Sequence, residues 1–418
     1  MSKIKQVFAR EILDARGYPA LEVEIILDSG VSASASVATA SIAGDLSRAA
    51  ISLQDGDLRF YQGQGIKRLI SKIKEIVIPA LIGLSVKTPG KIDQLLLDLD
   101  GTSNKKNLGA NVLLALSLAV FKVAANYQKQ TLFYYLQQTF SLTGPKIPVP
   151  LINIFNGGRH ADTNLDFQEF LLIPKKDSVS EMLKTGAEIF HELGVVLQAS
   201  GYDTDTGSEG GYAPDLDSSI EALDLILAAA LRCTYRAGRD FSLGINIGSA
   251  ILYDKQTGKY IFPLDHARFS SANLIGLYHE WLKKYPLTYL EDAVSDEEWG
   301  AWRELGADLG SKLTIAGGSL FRGEKSRLRQ GIAEKAANAV TVKLTEIGTI
   351  TEVIEYIKLA QRHNYQIIIS HNDDETNDDF IADLAVAVGA DYLKAGSITR
   401  GERLAKYNRL LKIETLLS

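Results

Sequence analysis

AVTVKLTEIGTITEVIEYIKLAQRHNYQIIIS, residues 339–370, is the stretch from which the fold can be read. Ala339–Leu344 is a short apolar run, Ile350–His363 carries the apolar spacing of an amphipathic helix, and Ile367–Ser370 is a second apolar run. A strand, a helix and a strand at this spacing form a parallel pair, because the crossover returns the chain to the same end of the sheet. Working outward, the same cycle predicts strands at Ile147–Ile154, Phe167–Ile173, Ser242–Ile247, Leu287–Leu290, Leu313–Ala316 and Tyr392–Lys394. Helices are expected over Val179–Ala199, Ser218–Ala237 and Ile381–Val388. Eight strand candidates after Gly144 fit a closed α/β barrel of the TIM type better than an open sheet. The first two leave no room for a helix between them, so the barrel should open irregularly.

Before Gly144 the rhythm differs. Lys5–Glu11 and Ala20–Leu27 alternate apolar and polar residues, as half-buried antiparallel strands do, around turn residues at Asp14–Pro19. Helical spacing follows over Ile66–Ile78, stopped by Pro79, and over Asn107–Tyr127, apolar enough to be buried on most sides. Residues 1–138 therefore read as an α+β capping domain and residues 144–418 as the barrel.

Catalytic groups of such barrels sit at the carboxyl ends of the strands. Reading those ends gives Glu169, Asn246, Glu291, Lys343, His371 and Lys394, to which the loops add His160 and Glu209. Each has a bland reading alone: a strand-end lysine reaches solvent, and a glutamate there caps the next helix. Together they carry more. Lys343 and Lys394 at one barrel mouth repel each other unless carboxylates such as Glu169, Glu209 and Glu291 balance them. Opposed amines and carboxylates with displaced pKa values are what proton abstraction beside a carboxylate requires. The glycine-rich stretches Asn156-Gly157-Gly158 and Gly207–Gly211 suit loops that close over a ligand, but match no phosphate-loop or dinucleotide pattern.

A net charge of −6 and a pI near 5.7 argue against nucleic acid as a partner. Cys233 is the only cysteine, which excludes an internal disulfide and favours a reducing compartment. Met1–Arg10 lacks the apolar core of a secretion signal, and Ala222–Leu231 is too short to span a bilayer. A cytoplasmic protein with no membrane partner is expected.

The motifs resemble those of enolase, the hydratase interconverting 2-phosphoglycerate and phosphoenolpyruvate, over roughly residues 3 to 416. They include Phe8–Asp14, Leu99–Thr102, Leu108–Asn111, Asn156-Gly157-Gly158 with His160–Asp162, and Gln168-Glu169-Phe170. Further on come Glu209-Gly210-Gly211, Glu291-Asp292, Lys343 with Ile347-Gly348-Thr349, Ile381–Ala385, and Lys394 with Arg403–Asn408. The resemblance implies a small α+β domain before a modified barrel, a homodimer contacting through Arg10, Glu22 and the helix around Arg403–Glu414, and magnesium as cofactor. It makes Lys343 the base that removes the α-proton and Glu209 the acid, helped by Glu169. Lys394 would hold the substrate carboxylate, His160 would ride a mobile loop, and Glu291 would be one of three carboxylate ligands to magnesium.

The departures are equally plain. Asn246 and Gly318 stand where the family has the other two metal-binding aspartates. The phosphate-binding stretch becomes His371-Asn372-Asp373-Asp374-Glu375-Thr376, with Asn372 replacing the arginine and Asp373 a serine. Ser208 replaces the aspartate before Glu209, and the lid reads Thr39–Gly44, with Ile42 at the metal-binding serine. Magnesium prefers hard, charged oxygens, and an anion beside Asp373 meets repulsion. The expectation is a homologue with ordinary turnover weak or lost. The alternatives are an enzyme using Lys343 on another small carboxylate or phosphorylated acid, a functional glycolytic enolase, and a non-catalytic binding or assembly protein. Under the last, the glutamates would neutralise Lys343 and Lys394 as a salt-bridge network.

Overall fold

A computed structural model describes residues 2–39 and 50–417. The lid stretch expected at Thr39–Gly44, including Ser41 and Ile42, lies outside the described residues beyond Thr39. The chain begins with a meander, β1 (Ile4–Leu13), β2 (Pro19–Leu27) and β3 (Ser32–Ala38), paired antiparallel in that order. At the first turn the Asp14 carboxylate accepts from the amides of Arg16 and Tyr18, both at 2.9 Å. Leu21, Val23 and Ile25 of β2 are fully buried, and β2 packs against the helix over Ala110–Tyr127, so the two-residue alternation does mark the core face.

The segment predicted to end at Pro79 continues past it. Helix α1 (Lys67–Lys72) runs into a π-helical turn at Ile73–Val77 and then α2 (Ile78–Leu81), with Pro79 in its first turn. Proline is tolerated there because the hydrogen-bond pattern changes register and its missing N–H is not needed. Helices α3 (Pro89–Asp100), α4 (Ala110–Tyr127) and α5 (Leu132–Phe140) complete this part. By length and composition α4 could cross a membrane, yet 83% of it is buried against β2, β3 and its helical neighbours. It is the core helix of the domain.

The barrel strands and helices then alternate: β4 (Val149–Asn156), β5 (Glu169–Pro174), α6 (Val179–Ala199), α7 (Glu221–Arg232) and β6 (Phe241–Asn246). A small antiparallel sheet of β7 (Tyr253–Asp254), β8 (Lys259–Phe262) and β9 (Ala267–Phe269), unforeseen in the sequence, precedes α8 (Ser271–Lys284). Next come β10 (Leu287–Glu291), α9 (Trp299–Leu309), β11 (Thr314–Gly317), α10 (Lys325–Glu334), β12 (Ala339–Lys343) and α11 (Ile350–Gln361). The chain ends with β13 (Gln366–Ser370), α12 (Phe380–Val388), β14 (Tyr392–Lys394) and α13 (Gly401–Leu417). The barrel closes in the order β10-β11-β12-β13-β14-β4-β5-β6. Every neighbouring pair is parallel except those of β5, which runs antiparallel to β4 and β6. The irregular opening is therefore a reversed strand. One expectation changes with it: Glu169 lies at the amino end of β5, not a carboxyl end, and reaches the same mouth because the strand is inverted.

The small domain is clamped onto that mouth's rim. Arg16 pairs with Asp374 at 2.6 Å, and Lys122 with Asp378 at 2.7 Å. Deeper in the joint, Asp93 of α3 accepts from the Thr351 amide at 3.0 Å and its hydroxyl at 2.6 Å. Thr349 and Glu352 cap α11 reciprocally just beside it.

Candidate functional site

Strand ends and loops converge on one cavity of about 350 Å³. It is lined by His160, Glu169, Glu209, Asn246, Glu291, Gly318, Lys343, His371, Asp373 and Lys394, all expected at the site. Asn246, Glu291, Lys343 and Lys394 end β6, β10, β12 and β14, while Gly318 and His371 follow β11 and β13. His160 enters on the loop after β4 and Glu209 on the loop before α7. Two glycines hold those loops close. A Cβ on Gly157 would lie 2.4 Å from the Phe167 carbonyl, and Gly210 adopts φ of +91° with Thr399 Oγ1 2.3 Å from where its Cβ would be.

On one wall a lysine spans two carboxylates. The Lys394 ammonium donates to Glu169 at 2.8 Å and to Glu291 at 2.6 Å, with all three side chains almost wholly buried. Asn246 donates to the same Glu169 oxygen at 2.7 Å. Glu291 also accepts from Tyr289 OH and from Thr341 Oγ1, each at 2.8 Å. Burial alone would push the Lys394 amine down, but Glu169 and Glu291 hold it well above the usual lysine range. Burial likewise opposes ionisation of Glu169, yet Lys394 and His160 keep its carboxyl below the ordinary value.

Across the cavity Lys343 donates to Asp373 at 3.1 Å. Burial disfavours this ammonium too, but Asp373 and Glu346 raise its pKa, and Lys343 in turn lowers that of Asp373. Asp373, half-exposed at the mouth, thus acts as a counter-charge to the lysine expected to be the base. Glu209 lines the same cavity. Its Oε2 accepts from Asn153 at 2.9 Å and Asn156 at 3.4 Å. Its Oε1 lies 3.5 Å from both His160 Nδ1 and His371 Nε2. Burial lifts its carboxyl to about 7 against the pull of His160, with Glu169 adding to the rise, so a proton is readily held there. Burial and the neighbouring Arg403 keep His371 neutral by lowering its pKa.

Sequence reasoning missed Arg403 as part of this site, having placed its helix at a dimer contact. Its side chain is fully buried and turned inward, donating to His371 Nδ1 at 2.5 Å and to the carbonyls of Asn372 and Asp373 at 3.0 and 2.8 Å. Lys406, one turn later, is equally buried on Glu375 at 2.6 Å. Tyr289 and Thr341 were missed as well. The signal was available: each sits two residues before Glu291 or Lys343, hence on the same inward face of its strand.

The residues present do not fit the magnesium that the resemblance implies. Of three expected carboxylates only Glu291 remains, and both its oxygens take protein donors, one of them a lysine ammonium. Asn246 turns its amide nitrogen to Glu169 while its buried oxygen finds no partner among the described residues. Gly318 brings no side chain, and Asp292 beside it is spent on the amides of Gly318 and Ser319 at 2.9 and 3.1 Å. With both Glu291 oxygens taken and its charge offset by the Lys394 ammonium, little negative charge is left at this position for a dication. Asp374, a neighbour of Asp373, is likewise committed to Arg16.

Comparison with protein-family models gives two matches. Residues 4–136 match the family described as the enolase N-terminal domain, and residues 145–418 match the enolase C-terminal TIM barrel domain.

Proposed function

Because the chain belongs to the enolase family, we propose that it is a homologue in which ordinary hydration of phosphoenolpyruvate is weak or lost. The observation that carries this reading is the Lys394 ammonium seated between Glu169 and Glu291. Abstracting a proton beside a carboxylate builds a second negative charge on that carboxylate, which must be met by cations as it forms. Here the cation nearest the metal-binding carboxylate is a lysine already neutralised by two glutamates. The base fares no better. An amine accepts a proton only when unprotonated, and Asp373 holds Lys343 in its ammonium form. An anionic group entering there meets the Asp373 carboxylate where the family has a serine, and Asn372 where it has an arginine, losing charge-assisted hydrogen bonds of about 1.5–3 kcal/mol each. The test is turnover of phosphoenolpyruvate and 2-phosphoglycerate with millimolar magnesium. The expected rate is at least a thousandfold below the ~10 s⁻¹ of a typical enzyme; an ordinary rate overturns the reading.

One observation favours a second reading, an enzyme with a changed substrate. Glu209, holding a proton up to about pH 7, and Lys343 both face the same cavity. A substrate that draws Asp373 away from Lys343 without setting its own anion there would lower the amine's pKa toward that of a base. Exchange of an α-proton into deuterated water across a panel of hydroxy acids tests it, and an absence of exchange counts against it.

A further inference from the structure

The cavity carries more negative than positive charge, and one of its buried acceptors is unfilled. Seven carboxyl groups line it, against two lysines and two arginines. The pairing shows where the surplus lies. Lys394 is shared by Glu169 and Glu291, and Lys343 faces both Asp373 and Glu346. At each lysine, then, one of two carboxylates is left uncompensated. Arg322 is matched by Asp296, and Arg159 is exposed, where water and salt screen it. Such a surplus is too small for a dication and suits a monocation.

Asn246 marks where that cation would sit. It lies on β6 between Glu169 of β5 and Glu291 of β10, in register with both. The residue is only 6% exposed, and its amide nitrogen faces Glu169 at 2.7 Å. Its oxygen is therefore turned from that strand, and it has no donor among the described residues. Flipping the amide would set the oxygen against the Glu169 carboxylate, so charge fixes this orientation. Space is open nearby because residue 318 is glycine: the nearest atoms to a Cβ there would be Asp292 Oδ2 at 3.1 Å and Glu291 Oε1 at 3.3 Å. Those two oxygens accept from the Ser319 amide and Thr341 Oγ1, and each keeps a second lone pair. A primary ammonium brings three N–H donors and no acceptor, the complement of such a wall. The cavity, about 350 Å³, also has the size of a small-molecule site and holds a carbon skeleton behind the head group.

We propose that the cavity binds a small organic amine, its primary ammonium held by Asn246 Oδ1 and by the carboxylates of Glu291 and Asp292. Such binding does not require that any turnover survive. The probes are n-butylamine, n-butanol and butyrate, one carbon skeleton with three head groups, titrated into the full chain at pH 7 and constant ionic strength. Calorimetry and Tm should show butylammonium saturating one site per chain, at least about tenfold more tightly than the alcohol or the acid. Asn246→Leu should weaken the amine by about tenfold or more. Asn246→Asp, which keeps an acceptor and adds charge, should bind it at least as well as the native chain, and that rescue separates a lost acceptor from a misfolded variant. A crystal of the native chain soaked in butylamine should place the nitrogen within hydrogen-bond reach of Asn246 Oδ1. Equal binding of butanol or butyrate, an unchanged affinity in Asn246→Leu, or displacement of the amine by potassium at equal concentration overturns the proposal.

Discussion

The ammonium of Lys394 lies 2.6 Å from Oε2 of Glu291, so a cation supplied by the chain itself stands on the one carboxylate left at the family's magnesium position. Replacing this lysine exposes what it does. In Lys394→Met, Glu169 and Glu291 become buried carboxylates without a counter-charge, and breaking a buried pair this way costs about 3–5 kcal/mol. Urea denaturation at pH 7 should show that loss, and millimolar magnesium should restore part of it by taking the vacated place.

Putting the missing carboxylates back should rebuild a magnesium site. A Cβ at Gly318 would lie 3.1 Å from Asp292 Oδ2 and 3.3 Å from Glu291 Oε1, close enough for an added carboxylate to join them. The Asn246→Asp/Gly318→Asp double variant should be less stable than the parent in chelator, because like charges crowd. It should gain several degrees in Tm on adding magnesium, where the parent gains little. Thermal scans at graded magnesium concentrations check both signs.

Asp373 holds Lys343 protonated, so Asp373→Ser should lower the lysine's pKa. Following acylation of Lys343 by mass spectrometry across a pH series, the half-reaction point should move down by about one unit or more. An unmoved profile would mean that Glu346 alone sustains the ammonium.

The domain joint should carry its own pH dependence. Burial lifts the Asp93 carboxyl to about 6, above its usual value near 3.8, although Ser117 and Thr351 hydrogen-bond to it. The native chain therefore keeps this proton after the unfolded chain has released it. Its contribution to stability falls as pH rises from about 4 to about 6. Asp93→Asn should flatten that slope and leave the variant more stable above pH 6, by on the order of 3 kcal/mol at ~1.4 kcal/mol per pKa unit. Denaturation midpoints between pH 4 and 8 measure it.

Much of this was legible in the chain. The strand–helix cycle around Lys343 reports itself because a buried parallel strand needs an unbroken apolar run and its crossover a 3.6-residue period. The three-stranded insert at 253–269 was not legible, since strands of two to four residues are too short to show any period. Nor was the fate of Pro79, which depends on a single π-helical turn. For the site, strand ends revealed which residues meet but not how they pair. Lys394 and Glu169 are 225 positions apart, and whether such a lysine binds a ligand or a glutamate is decided by three-dimensional distance. Arg403 escaped for the same reason: helix α13 carries charge on both faces, and only its docking shows which charge turns inward.

The reversed strand β5 has a topological consequence. The chain leaves the barrel rim at Asn156 and comes back to that rim at Glu169, the base of the excursion being tied by Gly157 N to Gln168 O at 3.0 Å and Gly158 N to Leu165 O at 2.9 Å. The His160 loop is thus a closed handle with both feet on cavity-lining strands, unlike a βα connection, which departs for the outer helical layer. Moving the chain termini into it by circular permutation would leave both new ends over the cavity, where a fused reporter would sense whatever enters.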